Sequence, residues 1–264
     1  MGVEFLQEKE REFVEQGYVI FKKLYSQKEI EQIYNLTLSL MNLIKEIDYP
    51  HDNKIHKIDY KGTQFVLQFK EDNTIIHRIV WASGAQPELL SLSRAPQLLE
   101  IIATLLQSNQ ADHLINSIHP KLSQDSVEFK IHQDEFHRKN YDPGWVNLNN
   151  DRSYVVCITA VDNMISENGG IYVIPYSHKL GFISADEMSK LDLNQAIAPE
   201  IAPGDTFCMN QDLVHFSLPN ESSLSRIILI NGFSVVGANH NPYPGEGSAQ
   251  LVELVSNNSY LDEF

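Results

Sequence analysis

Residues 128–141 read EFKIHQDEFHRKNY. The apolar alternation running into this stretch, VEFKI from Val127, has the period of two that marks a half-buried strand. In an extended chain, residues two apart project from the same face, so His132 and Asp134 present an imidazole and a carboxylate side by side. That pairing suits two ligands of one metal ion. With ten histidines in the chain, a His-x-Asp arises by chance about as often as not, so the pair needs company.

Working outward, the sequence after Leu114 is a series of short β-type runs separated by turn signals: LINSIHP, SYVVCITAVD, GGIYVIPY, DTFCMNQDLVHFS and SRIILINGFSVVG. Short strands at this spacing predict a sandwich or barrel. Upstream of Leu114 the chain reads as helical. In SQKEIEQIYNLTLSLMNLIKEI, apolar residues recur from Ile30 through Ile33, Leu36, Leu40 and Leu43 to Ile47, with Ser26 as N-cap and Glu29 closing a capping box. EKEREFVEQ predicts a short helix and GYVIFKKLY a strand. QPELLSLS and APQLLEIIATLLQ predict a further helical pair, the second entered through Pro96.

The expected architecture is therefore mainly β with N-terminal helices, one domain over 1–264. A helical part covering about 1–110 packs on a β core at about 111–240. A chain of 264 residues with 42% hydrophobic content can bury one substantial core. The 20 Lys and Arg against 35 Asp and Glu give a formal charge of −15, which repels phosphate backbones and anionic surfaces and argues against nucleic acid and membrane partners. No run reaches the roughly 18 apolar residues of a membrane span, and the acidic start has no leader or acylation pattern. Cys157 and Cys208, in apolar strand surroundings, predict buried thiols in a reducing cytoplasm, with a disulfide between them an unnecessary alternative.

Downstream companions raise the status of His132 and Asp134. His215 ends an apolar strand, and Arg226 follows eleven residues later at the start of SRIILINGF. Two histidines and one carboxylate form the donor set that leaves three coordination positions open on Fe(II). A guanidinium directed into a barrel requires an anion, and a planar carboxylate matches its fork.

FVEQGYVIFKKLYSQKEI, HQD at 132–134, ENGGIYVIPYSHKLG at 167–181, APGD at 202–205 and HFSLPNESSLSR at 215–226 together resemble the phytanoyl-CoA dioxygenase family. The markers span about four-fifths of the chain. The resemblance implies a double-stranded β-helix, the cupin-like jelly roll, with flanking helices. It also implies an Fe(II)- and 2-oxoglutarate-dependent dioxygenase that uses O2 and yields succinate and CO2. By the same resemblance His132, Asp134 and His215 are the iron ligands, Arg226 and Ser217 hold the distal carboxylate of 2-oxoglutarate, and His113 and Ile115 fall where family members touch that cosubstrate. Asp134 stands where related halogenases have Gly or Ala, which argues for hydroxylation. Where the family has Pro-Gly-Ser-His, this chain has Pro175, Tyr176, Ser177 and His178, so a tyrosine stands at the glycine position.

IIHRIVWASGAQPELL, DHLINSIHPKL, HQDEFHRKNYDPGW and TAVDNM resemble the branch that hydroxylates free aliphatic L-amino acids of the leucine type. That likeness implies a small zwitterionic substrate. An amino acid needs a cation for its carboxylate and an apolar wall for its side chain. Arg78 and Trp81 are the first candidates for that pocket, with His137 and Arg152 behind them. The rival substrates are an acyl-CoA or a larger natural product, although the acidic chain shows no basic cluster for coenzyme A phosphates. A cupin-like binding module is the non-enzymatic alternative. Neither oligomeric state nor the oxidised carbon is encoded legibly.

Overall fold

A computed structural model describes residues 1–149 and 152–254. The chain begins with α1 (Val3–Gln16), which stops at Gly17 in the left-handed region at φ 86° and turns directly into β1 (Tyr18–Phe21). α2 (Gln27–Leu43) starts at Ser26, whose hydroxyl accepts from the Glu29 amide while the Glu29 carboxylate accepts from the Ser26 amide. This is the capping box that the sequence predicts. α3 (Glu88–Ser93) and α4 (Pro96–Leu106) follow, the latter with Pro96 in its first turn.

Between α2 and α3 the expectation of a helical first 110 residues fails. Residues here form β2 (Ile55–Tyr60), β3 (Thr63–Lys70) and β4 (Asn73–Val80), two successive hairpins. The runs IHKIDY, TQFVLQFK and NTIIHRIV are rich in β-branched and aromatic residues, and the tight connections at Lys61–Gly62 and Glu71–Asp72 use left-handed backbone. Both signals are local and readable. The helical and β parts are thus not consecutive segments.

The remaining strands are β5 (Gln110–Lys121), β6 (Phe129–His132), β7 (Tyr154–Ala160), β8 (Ile171–Val173), β9 (Thr206–Asn210), β10 (His215–Ser217), β11 (Arg226–Val235) and β12 (Gln250–Glu253). A large antiparallel sheet runs β1-β9-β7-β11-β5-β4-β3-β2, with β12 also on β5, and a small sheet runs β6-β10-β8. The two sheets are the walls of a jelly roll, with helices on the outside. Alternation along β11 sorts its side chains: Ile227 and Leu229 join a core with Ile30, Ile33 and Leu40 of α2, whereas Arg226, Ile228 and Ile230 face a cavity between the sheets. α1 and α4 bury Leu6, Phe13 and Leu98–Leu106 residues against β7 and β9. Cys157 and Cys208 lie opposite each other on β7 and β9 as buried free thiols, their sulfurs 3.1 Å apart. Among the described residues no helix is long and apolar enough to cross a membrane.

Tyr176 takes the left-handed conformation itself, at φ 68°, with its ring exposed. The backbone there keeps the shape that a glycine would adopt freely, at a cost on the order of 1 kcal/mol.

Candidate active site

β6 ends at His132, Gln133 is extended (φ −112°, ψ 142°), and Asp134 is the first residue of α5 (Asp134–Tyr141). One extended residue between them keeps both side chains on one side, as strand geometry requires. The chain turns helical at once, where the sequence reading continued a strand. A carboxylate in the first helical turn is also favoured by the aligned peptide dipoles. His215 lies directly opposite His132 in the β10–β6 register. Asp134 Oδ1 is 3.8 Å from the Nε2 of both histidines, and the three ligand atoms lie within 4.8 Å of one another. They are too far apart to bond each other and close enough to share an ion.

The imidazoles are oriented from behind. His132 Nδ1 donates to the Lys130 carbonyl at 2.6 Å and His215 Nδ1 to the Leu213 carbonyl at 2.9 Å. A carbonyl can only accept, so each Nδ1 carries the proton and each Nε2 lone pair is left for the shared point. Burial, and next the neighbouring His215, hold the His132 imidazole down at about 3. It is neutral and able to coordinate at physiological pH.

Across the cavity stands Arg226, 1% exposed. Its Nε and Nη1 have no hydrogen-bond partner. Burial lowers its guanidinium to about 10, which leaves it charged near neutrality. A buried, unsatisfied cation is costly and fits a site completed by an anion. Ser217, two residues beyond His215 on β10, is buried and accepts from Lys121 Nζ at 2.9 Å. Lys121 pairs with Arg226 in the β5–β11 register, also donates to the Gly169 and Leu218 carbonyls, and is drawn down to about 7 by burial and then by Arg226. His132, Asp134, His215, Ser217 and Arg226 all line one cavity of about 430 Å³. The donor set fits Fe(II), and the orphaned guanidinium with its hydroxyl fits the far carboxylate of 2-oxoglutarate.

The other expected site residues divide. Ile115, Arg78 and His137 line this cavity. Arg78 reaches it from β4 with Nε unpartnered, and the His137 ring lies 4.9 Å from that of His132, its pKa lowered chiefly by burial. His113 does not line it. The β5–β11 register shifts between Gly232, opposite Ile115, and Phe233, opposite His113, and such a bulge breaks the two-residue alternation that would have put both on one face. The His113 ring instead stacks on Phe233 at 4.2 Å, between Arg94 and Asn231. Trp81 is buried outside the cavity with its ring 5.3 Å from that of His113. Arg152 is also outside, bonded to Glu10 of α1 at 2.7 Å.

The sequence reading missed His119, Arg138, Tyr154 and Tyr243, which also line the cavity. His119 had a signal, since it continues the Ile115, Ser117 alternation of β5. Arg138 had one too, because Asp134, His137, Arg138 and Tyr141 follow helical i, i+3, i+4, i+7 spacing. Burial, and then the charges of Arg78, Arg226 and Lys121, hold His119 well below the ordinary imidazole range.

A family model described as phytanoyl-CoA dioxygenase (PhyH) matches residues 13–228. A search of curated protein sequences found no match. Among solved structures, EctD from S. alaskensis with 2-oxoglutarate and 5-hydroxyectoine superposes with a TM-score of 0.72 at 16% identity, covering 96% of this chain and 86% of that one. EvdO2 from Micromonospora carbonacea var. aurantiaca complexed with 2-oxoglutarate gives 0.63 at 18% identity, covering 90% and 94%. The epimerase SnoN in complex with Fe3+, alpha ketoglutarate and nogalamycin RO gives 0.65 at 12% identity, covering 100% and 91%. At these identities the likeness is one of fold.

Proposed function

The chain belongs to the phytanoyl-CoA dioxygenase family, and from that premise we propose that His132, Asp134 and His215 hold the iron of a hydroxylase acting on a free aliphatic L-amino acid. It is a non-haem iron oxygenase dependent on 2-oxoglutarate. When bound, the iron with 2-oxoglutarate and O2 supplies an oxidative decarboxylation to succinate and CO2, coupled to oxidation of an unactivated C–H bond.

The protein's residues do the rest. The Lys130 and Leu213 carbonyls fix the tautomers of the two histidines, so both Nε2 atoms face Asp134. Arg226 meets the distal carboxylate of 2-oxoglutarate with the donors that lack partners, and Ser217 is held in the same cavity by Lys121. Ile115, Val156, Ile158, Ile228 and Ile230 form an apolar wall that excludes water and suits a branched aliphatic side chain. Arg78 offers an unpaired guanidinium to a substrate carboxylate, and Asn140 offers an amide oxygen to an ammonium.

The observation that carries this reading is the His-Asp-His cluster facing an orphaned Arg226 across one cavity. The cavity is at the small end of the roughly 300–1,000 Å³ typical of ligand sites and has to accept 2-oxoglutarate as well, which favours a small substrate over an acyl-CoA.

The test is succinate formation by dialysed protein given Fe(II), ascorbate, 2-oxoglutarate and each of leucine, isoleucine, valine, norleucine and methionine. The expected result is stimulation by at least one of them, matched by a product one oxygen heavier. His132→Ala, Asp134→Ala and His215→Ala should each abolish it with the circular dichroism spectrum retained. Near-wild-type turnover in any of these variants removes that residue from the metal set. Background succinate with all five amino acids, and stimulation by an acyl thioester or larger metabolite, replaces the substrate assignment.

A further inference from the structure

We propose that Arg138 is the specificity residue that anchors a substrate carboxylate in the cavity. This rests on the site assignment above and adds a residue to it. Arg138 lies on α5 one turn after Asp134, so the helix that delivers a metal ligand also delivers this guanidinium to the same space. It is 2% exposed, its Nη2 has no hydrogen-bond partner, and no carboxylate pairs with it among the described residues. The neighbouring Lys139, by contrast, reaches Glu135 at 3.1 Å.

What holds Arg138 in place is aromatic. Its guanidinium carbon is 4.3 Å from the Tyr243 ring centroid and 5.3 Å from that of Tyr154. Contacts with ring faces fix the guanidinium plane while leaving its edge donors unused, a preorganised fork for a planar anion. Arg226 has its own orphaned nitrogens and shares the cavity with the Ser217 hydroxyl, so 2-oxoglutarate accounts for that end of it. Arg78 and Arg138 remain on the side of α5 and β4, and Asp134 is the only carboxylate lining the cavity among the described residues. Together with the exposed Lys57, which also lines the cavity without an ion-pair partner among the described residues, these two cations call for an acid group on the substrate itself.

The experiment is anaerobic calorimetry on the full chain loaded with Fe(II) and 2-oxoglutarate, titrated with leucine, with leucinamide and with 4-methylpentanoate, which keeps the carboxylate and lacks the ammonium. For wild type, the carboxylate ligand should bind at least about 30-fold more tightly than the amide, as expected for a buried charged pair. In Arg138→Met this preference should fall to within about threefold. Arg138→Lys, which keeps a cation between the rings, should bind more weakly but retain the preference, and it serves if Arg138→Met fails to fold. A pure packing role would weaken all ligands equally.

A preference that survives in Arg138→Met overturns the proposal and leaves the amino-acid reading standing. Binding of 4-methylpentanoate but not leucine, with the loss in Arg138→Met, supports Arg138 and removes the amino-acid reading. No binding of either carboxylate to wild type removes both.

Discussion

Arg226 shows how function can oppose stability at one residue. Its guanidinium is buried with two unpartnered nitrogens, and desolvation without compensation destabilises the ligand-free fold. The same exposure of donors to the cavity makes it the strongest candidate for binding the cosubstrate. The two effects predict opposite signs for one substitution. Arg226→Met should raise the thermal midpoint of the metal- and cosubstrate-free protein. It should also raise the 2-oxoglutarate concentration needed for half-maximal succinate formation by at least about 30-fold, corresponding to about 2 kcal/mol or more for truncating one partner of a buried charged pair. A half-maximal concentration within twofold of wild type would remove Arg226 from the cosubstrate pocket. An unchanged or lower midpoint would mean that its burial is compensated.

At the scale of elements, Gly232 on β11 leaves room for an aromatic ring from the neighbouring β7 to lie across it. A Cβ added to Gly232 on β11 would sit 2.2 Å from the Tyr154 hydroxyl and 2.8 Å from its ring carbon. Tyr154 is 1% exposed, with Trp145 packed edge-on against it and Arg138 near its face, so its ring has little room to yield. Gly232→Ala should cost about 1–3 kcal/mol through overpacking, lowering the midpoint by roughly 2–4 °C per kcal/mol for a chain of this size. Differential scanning calorimetry tests this, and an unchanged midpoint would show that the ring moves freely. The element that most shapes the site is α5. By ending β6 after His132 and turning helical at Asp134, it places His137, Arg138 and Tyr141 around the cavity.

For the whole molecule, a chain with a net charge of −15 encloses a cavity in which Arg78, Arg138 and Arg226 each have an unpartnered nitrogen. That separation reserves buried positive charge for anionic ligands. Buried histidines give the fold an acid sensitivity. Burial, and then the Arg94 cation, lower His113 from 6.5 to about 3. Between these values the unfolded chain binds a proton that the folded chain does not, so stability is fully present above about 6.5 and is lost as pH falls toward 3. Urea unfolding of the chelated protein should therefore show free energy declining between pH 7 and pH 5. His113→Gln should remove up to about 1.4 kcal/mol per pH unit of that slope. Equal slopes would mean that His113 titrates normally in the fold.

Local pattern carried much of this protein. Ser26 and Glu29 marked the start of α2, Pro96 marked α4, and the spacing of His132, Asp134, His215 and Arg226, read together with the family resemblance, singled out residues that the fold brings around one cavity. Such features are legible because backbone periodicity assigns faces to neighbours and capping needs only residues three apart. β2, β3 and β4 are legible too, in their β-branched and aromatic content and their turns, although the expected helical part covers them. Other placements depended on partners far along the chain. Arg152 was settled by Glu10, 142 residues away, and Trp81 by packing beside His113 and Gly245. His113 was separated from Ile115 by a register shift against β11. No periodicity encodes a bulge that forms only when two distant strands pair, nor which of several buried arginines is left without a partner. Those were decided when the sheets closed around the cavity, because only then did each side chain meet either a counter-charge or empty space.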